Sequence, residues 1–219
     1  MMSNEDLNEE INTSGFDAIT ETFEKIYPEQ KEPLHYRPII SYMLGGKDPL
    51  DGISIYRGNG YYHFVTYGFS ELYEKESENK EYSGFGFELT FKLKMNEKQI
   101  NNTKDDNTQD NEIKTAVGFL QQLAKYVFEI GAVFNPYEYI WTKQKEGIDA
   151  EQKSKITGFI TIPDEAGEIN TPNGKVIFVE LLGATDAELN AIYDKKITVK
   201  DLVQKIGTDI TDYSRESLL

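Results

Sequence analysis

The 219-residue chain contains no cysteine. Disulfides, thiolate metal sites and cysteine nucleophiles are therefore excluded. Histidine is almost as scarce: only His35 and His63 occur, far apart and not in a His-x-x-x-His pair, so neither a metal site nor a cofactor is expected. No stretch approaches the roughly 18 consecutive apolar residues of a membrane helix. The opening MMSNEDLNEEINTSG carries acids where a secretory signal needs a basic start and an apolar run. A cytoplasmic protein is expected, in which the glycosylation sequons at Asn12 and Asn101 are chance matches. Positive charge is also short, since 23 Lys and Arg against 38 Asp and Glu leave a net charge of −15. Spread over a folded surface on the order of 10,000 Å², that excess repels phosphate backbones and anionic lipid, which argues against nucleic acid and membrane as direct partners.

Aromatic rings are plentiful, with 12 Phe and 14 Tyr, too many for a disordered acidic tail. The chain reads as one folded domain over residues 15–219, preceded by a flexible acidic leader at 1–14. GFDAITETFEKIYP spaces Phe16, Ile19, Phe23 and Ile26 as a helix that stops before Pro28. Prolines and glycines make 31–52 largely loop, with PIISYML apolar enough to touch the core. Strands are expected at 53–57 and 61–68, joined by the hairpin turn Gly58-Asn59-Gly60.

GFGFELTFKLK alternates strictly, so one face, with Phe85, Phe87, Leu89, Phe91 and Leu93, is aromatic core, and the other is polar or stripped to glycine. Residues 96–111 are nearly devoid of apolar side chains and read as a mobile insert. A helix from about 112 to 130 follows, with Ile113, Val117, Leu120, Ala124 and Val127 on its stripe and Ala116, Leu123 and Ile130 beside it. The remainder reads as antiparallel strands at 156–164 and 175–183 linked by a turn-rich loop, then two helices. The first opens on a Thr185/Glu188 capping box and the second ends at Gly207; a last strand in TDITDY closes the chain. The fold class is α+β, a single domain with a mixed, largely antiparallel sheet packed by helices.

Few residues suggest catalysis. His63 lies mid-strand and reads as a histidine satisfied within the sheet. Ser70 has no nucleophile elbow around it. Gly84 and Gly86 sit in a strand rather than at a helix entrance, which points to a close backbone or ring and not to a phosphate cradle. Glu88 and Glu180 are carboxylates in apolar surroundings, read first as structural ion pairs and second as a general acid or base. The run holding Glu71, Glu74, Glu76, Glu78 and Glu81 is by default a solvated loop, and alternatively an acidic rim for a basic partner. Asp48 and Asp51 stand in a turn fixed by Pro49 and glycines.

The segments HYRPIISYMLGGKDPLDGISIYR, HFVTYGFSELYEKE, SGFGFELTFKLK and LAKYVFEIG and the ending ITDYSRE, in this order, resemble the suppressor of fused family from Gly15 to about Leu218. Departures fall at NPYEYIW (135–141) and in the Asn/Asp-rich insert. The resemblance implies an α+β domain without known catalysis. Animal members are longer, carry a second domain, and hold a transcription factor of Hedgehog signalling by adding its peptide as a strand; this sequence stops where their first domain stops. Short bacterial members look like immunity proteins that block a cognate toxin. The resemblance and the net charge together imply a non-enzymatic protein-binding module, most simply an immunity protein or antitoxin for a basic toxin such as a nuclease. A peptide-binding regulator acting by strand addition and an enzyme using Glu88 or Glu180 are the alternatives. Asp48, Asp51, Tyr73, Glu74, Glu76 and Glu81 are the candidate partner-binding residues, with Arg57 and Asp212 structural.

Overall fold

The computed structural model describes residues 12–40, 42, 45–95 and 107–219. Most of the expected leader (1–11) and insert (96–106), and Ser41, Met43 and Leu44 of PIISYML, lie outside those residues. The elements run α1 (Ser14–Ile26), β1 (Leu34–Tyr36), β2 (Gly52–Arg57), β3 (Tyr61–Tyr67), β4 (Tyr82–Lys94), α2 (Asn107–Ile130), β5 (Tyr139–Ile140), β6 (Ile156–Thr171), β7 (Gly174–Thr185), α3 (Asp186–Tyr193) and α4 (Val199–Ile206). The seven strands form one sheet in the order β1-β2-β3-β4-β7-β6-β5. Every neighbouring pair is antiparallel except β4–β7.

Period-two alternation decides what each face of the sheet meets. Phe87, Leu89, Phe91 and Leu93 of β4 and Val179 and Leu181 of β7 join α2 in the largest core. Phe178, on the opposite face of β7, packs with Ile19 and Phe23 of α1, and Leu182 packs with Leu189 and Leu202 of α3 and α4. Both faces are thus covered. The polar face expected for β4 is also buried, with Glu88, Thr90 and Lys92 at 0%, 0% and 2% exposure.

Several boundaries differ from the sequence reading. α2 begins at Asn107, inside the expected insert, because Asp110 suits a first turn as well as a loop. β6 continues through the expected linking loop to Thr171, with a register shift between Pro163 and Glu168 where Gly167 takes φ +67°. The bulge absorbs the turn residues that had suggested a loop. TDITDY forms no strand, only an isolated parallel bridge from Thr211 to Leu93. Ile39 and Ile40 do not reach the core; both are exposed, as is Ile130 at the end of α2.

The two C-terminal helices carry capping boxes, Thr185/Glu188 and Thr198/Asp201, and α4 ends at a left-handed Gly207. Glu188 does more than cap. Fully buried, it receives Arg215 through both oxygens, at 2.5 and 2.8 Å, and the Leu218 amide at 3.0 Å. The tail ITDYSRE is therefore fixed to α3 by one bidentate pair. Removing one partner of a buried pair strands a charge, at a cost of about 3 kcal/mol. Arg215→Ala is expected to lower the melting temperature by about 10 °C, whereas Lys155→Ala, which breaks an exposed pair with Glu216, shifts it by a degree or two at most. Thermal unfolding of both variants measures the contrast.

Candidate functional site

The surface best organised by buried chemistry is the loop after β3. Glu88, fully buried on β4, accepts hydrogen bonds from the Gly68 amide (3.0 Å), the Ser70 amide (2.9 Å), the Ser70 hydroxyl (2.6 Å) and the Thr66 hydroxyl (2.7 Å). No cation pairs with it among the described residues, so the expected ion pair is replaced by four neutral donors. Burial pushes its carboxyl up to about 7, against the pull of those hydrogen bonds. Gly84 has φ +55°, and a Cβ there would stand 2.7 Å from the Phe69 carbonyl oxygen. The sequence reading of that glycine as a close backbone approach is what the structure contains.

Glu71 is the second hub. Its carboxylate accepts from Lys75 (2.8 Å), from the amides of Glu76 (2.7 Å) and Gly84 (2.9 Å), and from the Ser77 amide. Burial would raise its pKa, but Lys75 and these amides hold it down, at about 2. Asn173, at the β6–β7 turn, donates its side-chain amide to the carbonyls of Glu71 and Tyr73, at 2.8 and 3.2 Å. The Tyr73 hydroxyl donates to Asp51, and burial together with that carboxylate raises it to about 12.

These contacts shape a groove of about 460 Å³. Phe69, Leu72, Phe85, Phe128 and Tyr42 give it an apolar lining, and Asp51, Glu71, Glu74 and Glu76 give it acids. Phe85 and Tyr42 each meet Phe128 edge-on, at 5.1 and 5.5 Å. Of the six candidate residues, Asp51, Tyr73, Glu74 and Glu76 line it together. The other two do not. Asp48 pairs with Lys125 of α2 at 2.9 Å, and Glu81, exposed, contributes its backbone carbonyl to the Lys175 amide at 2.8 Å. Sequence reasoning missed Phe128, Asn173 and the inward role of Glu71. Pro172-Asn173-Gly174 in the turn-rich loop is the one sequence signal for Asn173, but nothing in the Glu/Lys alternation separates Glu71 from its solvated neighbours.

A polar chain runs beneath α1. His63 bonds the Tyr27 hydroxyl through Nδ1 (2.8 Å) and Asp164 through Nε2 (2.9 Å), and Thr90 donates to the same Asp164 oxygen at 2.7 Å. Burial would raise Asp164, yet His63, the Ala166 amide and Thr90 hold it well below the carboxylate range. Lys92 stands 2.6 Å from Asp209, 3.0 Å from Glu165 and 3.4 Å from Glu180. Glu180, whose carboxylate oxygens have no hydrogen-bond partner among the described residues, is pushed well up by burial and by Asp164, with Lys92 opposing. Glu88 and Glu180 line neither of the two large grooves, the acid-rimmed one or the wider one beside β5. Arg57 and Asp212 make local contacts: the Arg57 amide with Gln30 (2.8 Å), and Asp212 with Lys94 (2.6 Å).

Fold and groove define a mixed-sheet α+β domain whose loop after β3 presents an aromatic, acid-lined recess. The chain belongs to the suppressor of fused family: the family model described as Suppressor of fused protein matches residues 46–216. The Suppressor of fused homologs of Mus musculus and Homo sapiens are each 29% identical over 195 residues, covering 81% of this chain and 37% of theirs. The chain thus spans well under half the length of these relatives. A crystal structure of the Sufu-Fu complex superposes with a TM-score of 0.80 at 27% identity, covering 94% of this chain and 92% of that one. Drosophila Suppressor of Fused gives 0.79 at 26% identity, covering 96% of this chain and 53% of that one.

Glu88 makes the loop's stability pH-dependent. Its pKa in the folded protein lies above the ordinary glutamate value, so its contribution is fully present below about pH 4.5 and is lost as pH rises through about 7. At about 1.4 kcal/mol per unit, the loss approaches roughly 3 kcal/mol. Glu88→Gln keeps an acceptor for Gly68 and Ser70 and cannot ionise. Its stability relative to the native chain, from urea unfolding, should improve steadily from pH 4.5 to 7.5.

Proposed function

We propose that this chain is a non-enzymatic protein-binding module that takes a basic partner into the acid-lined groove, and that it serves in the cytoplasm as an immunity protein neutralising a cognate toxin. The observation that carries the reading is the convergence of Asp51, Tyr73, Glu74 and Glu76 on one aromatic recess. Aromatic anchors ringed by charge are what protein hot spots use, and acids there steer a cationic partner. Among the described residues no Lys or Arg neutralises Asp51, Glu74 or Glu76 within salt-bridge distance. The net charge of −15 adds a long-range field of the same sign. Family membership supports the coarser half of the proposal, since a relative of 0.80 TM-score was solved as the Sufu-Fu complex. Strand addition is the second reading: β5, an edge strand of two residues, pairs only with Phe159 and Ile160 of β6, and the remainder of that outer edge has no ladder partner among the described residues.

The proposal requires that a neighbouring gene encode a toxin, and the test is co-expression with that neighbour's product. The native chain should rescue growth, and Glu74→Lys/Glu76→Lys, two exposed changes, should weaken binding at least tenfold and abolish rescue while leaving the circular dichroism unchanged. Full rescue by the reversed-charge chain would remove the groove from the account. Absence of any toxin that the native chain protects against would remove the immunity role.

A further inference from the structure

A second, larger groove of about 620 Å³ lies between α2 and the β5–β6 edge. Its walls include Phe119, Phe134, Trp141 and Phe159. None of its fourteen lining residues is charged, in a chain of which 28% is charged and whose other groove carries four carboxylates. The polar side chains present are hydroxyls and amides, among them Gln122, Gln144 and Thr157. Lys143 holds its ammonium over the Trp141 and Tyr193 rings, 5.0 and 5.1 Å from their centroids, and the Trp141 Nε1 donates to Asp186 at 3.0 Å; neither charged residue is part of the wall. A charged ligand would therefore leave its solvation for a wall with no charged side chain of its own. A neutral one would not.

Thr157 supplies the second observation. It sits at the register shift of β6 between Ile156 and Gly158, where a bulge re-aims a side chain. The residue is 4% exposed, and its hydroxyl has no hydrogen-bond partner among the described residues. A buried unpaired hydroxyl is unfavourable unless something completes it. Next to it, Gly158 lets the β5 backbone approach: a Cβ there would lie 2.6 Å from the Ile140 carbonyl oxygen. The volume falls within the roughly 300–1,000 Å³ of small-molecule sites, which combine mostly apolar walls with few polar groups.

We propose that this groove binds a neutral, largely apolar small molecule bearing a hydrogen-bond acceptor, which packs on Trp141 and Phe159 and receives the Thr157 hydroxyl. Trp141 is the sole tryptophan of the chain, so binding has its own reporter. Nile red, neutral and carbonyl-bearing, should bind the full chain saturably, with energy transfer from Trp141, and the anionic anilinonaphthalene sulfonate should bind at least tenfold more weakly. Thr157→Val preserves volume and removes the orphan hydroxyl, so it should keep or raise the melting temperature while weakening Nile red roughly tenfold. Gln122→Glu, on the exposed side of the wall, should also weaken it, and Glu74→Lys in the other groove should not. Equal affinity for the two dyes, unaltered Nile red binding in a folded Thr157→Val, or no transfer from Trp141 would overturn the proposal.

Discussion

The fold depends on β4 being buried on both faces. An apolar strand in that position needs only packing, but β4 carries Glu88, Thr90 and Lys92 on the face turned from α2, and each is removed from water. A polar group so placed must find partners within the protein. Glu88 takes the loop 66–70, Thr90 takes Asp164, and Lys92 takes Glu165, Glu180 and Asp209. Through these contacts one strand sets the course of the loop after β3, the middle of β6 and the segment that follows α4. The same strand makes the sheet's one parallel pairing, to β7, so the N-terminal meander and the C-terminal half meet on it.

The acid-lined groove is a consequence of that arrangement. Its floor residue Phe69 stacks on Phe87 of β4 at 4.8 Å, and the turn around Phe69 is held from beneath by Glu88. Glu71 then folds the following loop around an inward carboxylate, which frees Glu74 and Glu76 to face solvent. The charge of −15 therefore divides by role. Some acids are internal fasteners, among them Glu71, Glu88, Asp164 and Glu188, and a smaller set can meet a partner. Net charge alone does not separate the two.

Much of this was legible in the sequence where one period dominates. The stripe of Ile19 and Phe23, the alternation of Phe87 to Leu93, the Thr185/Glu188 box and Gly207 all stand as read, because helix and strand periods and caps are local rules. What was not legible depends on distant partners. Glu88 was expected to find a cation and instead found backbone amides, a choice made by the return of residues 68–70 and invisible in spacing. The turn residues of 165–170 read as a loop because a bulge and a turn use the same glycine chemistry. Ile39 and Ile40 are apolar yet exposed, and apolar character by itself does not fix burial. At the site, four of six candidates converge, while Asp48 is drawn to Lys125 by a helix that sequence could not place beside it.

If the buried polar face of β4 works as a connected network, Thr90 and Asp164 are energetically coupled, and a double-mutant cycle between them measures that coupling. Urea unfolding of Thr90→Val, Asp164→Ala and the double variant gives their coupling energy. Losing the Thr90 hydroxyl should destabilise the native chain by about 1 kcal/mol and the Asp164→Ala chain hardly at all. Additive effects, within about 0.3 kcal/mol, would contradict it.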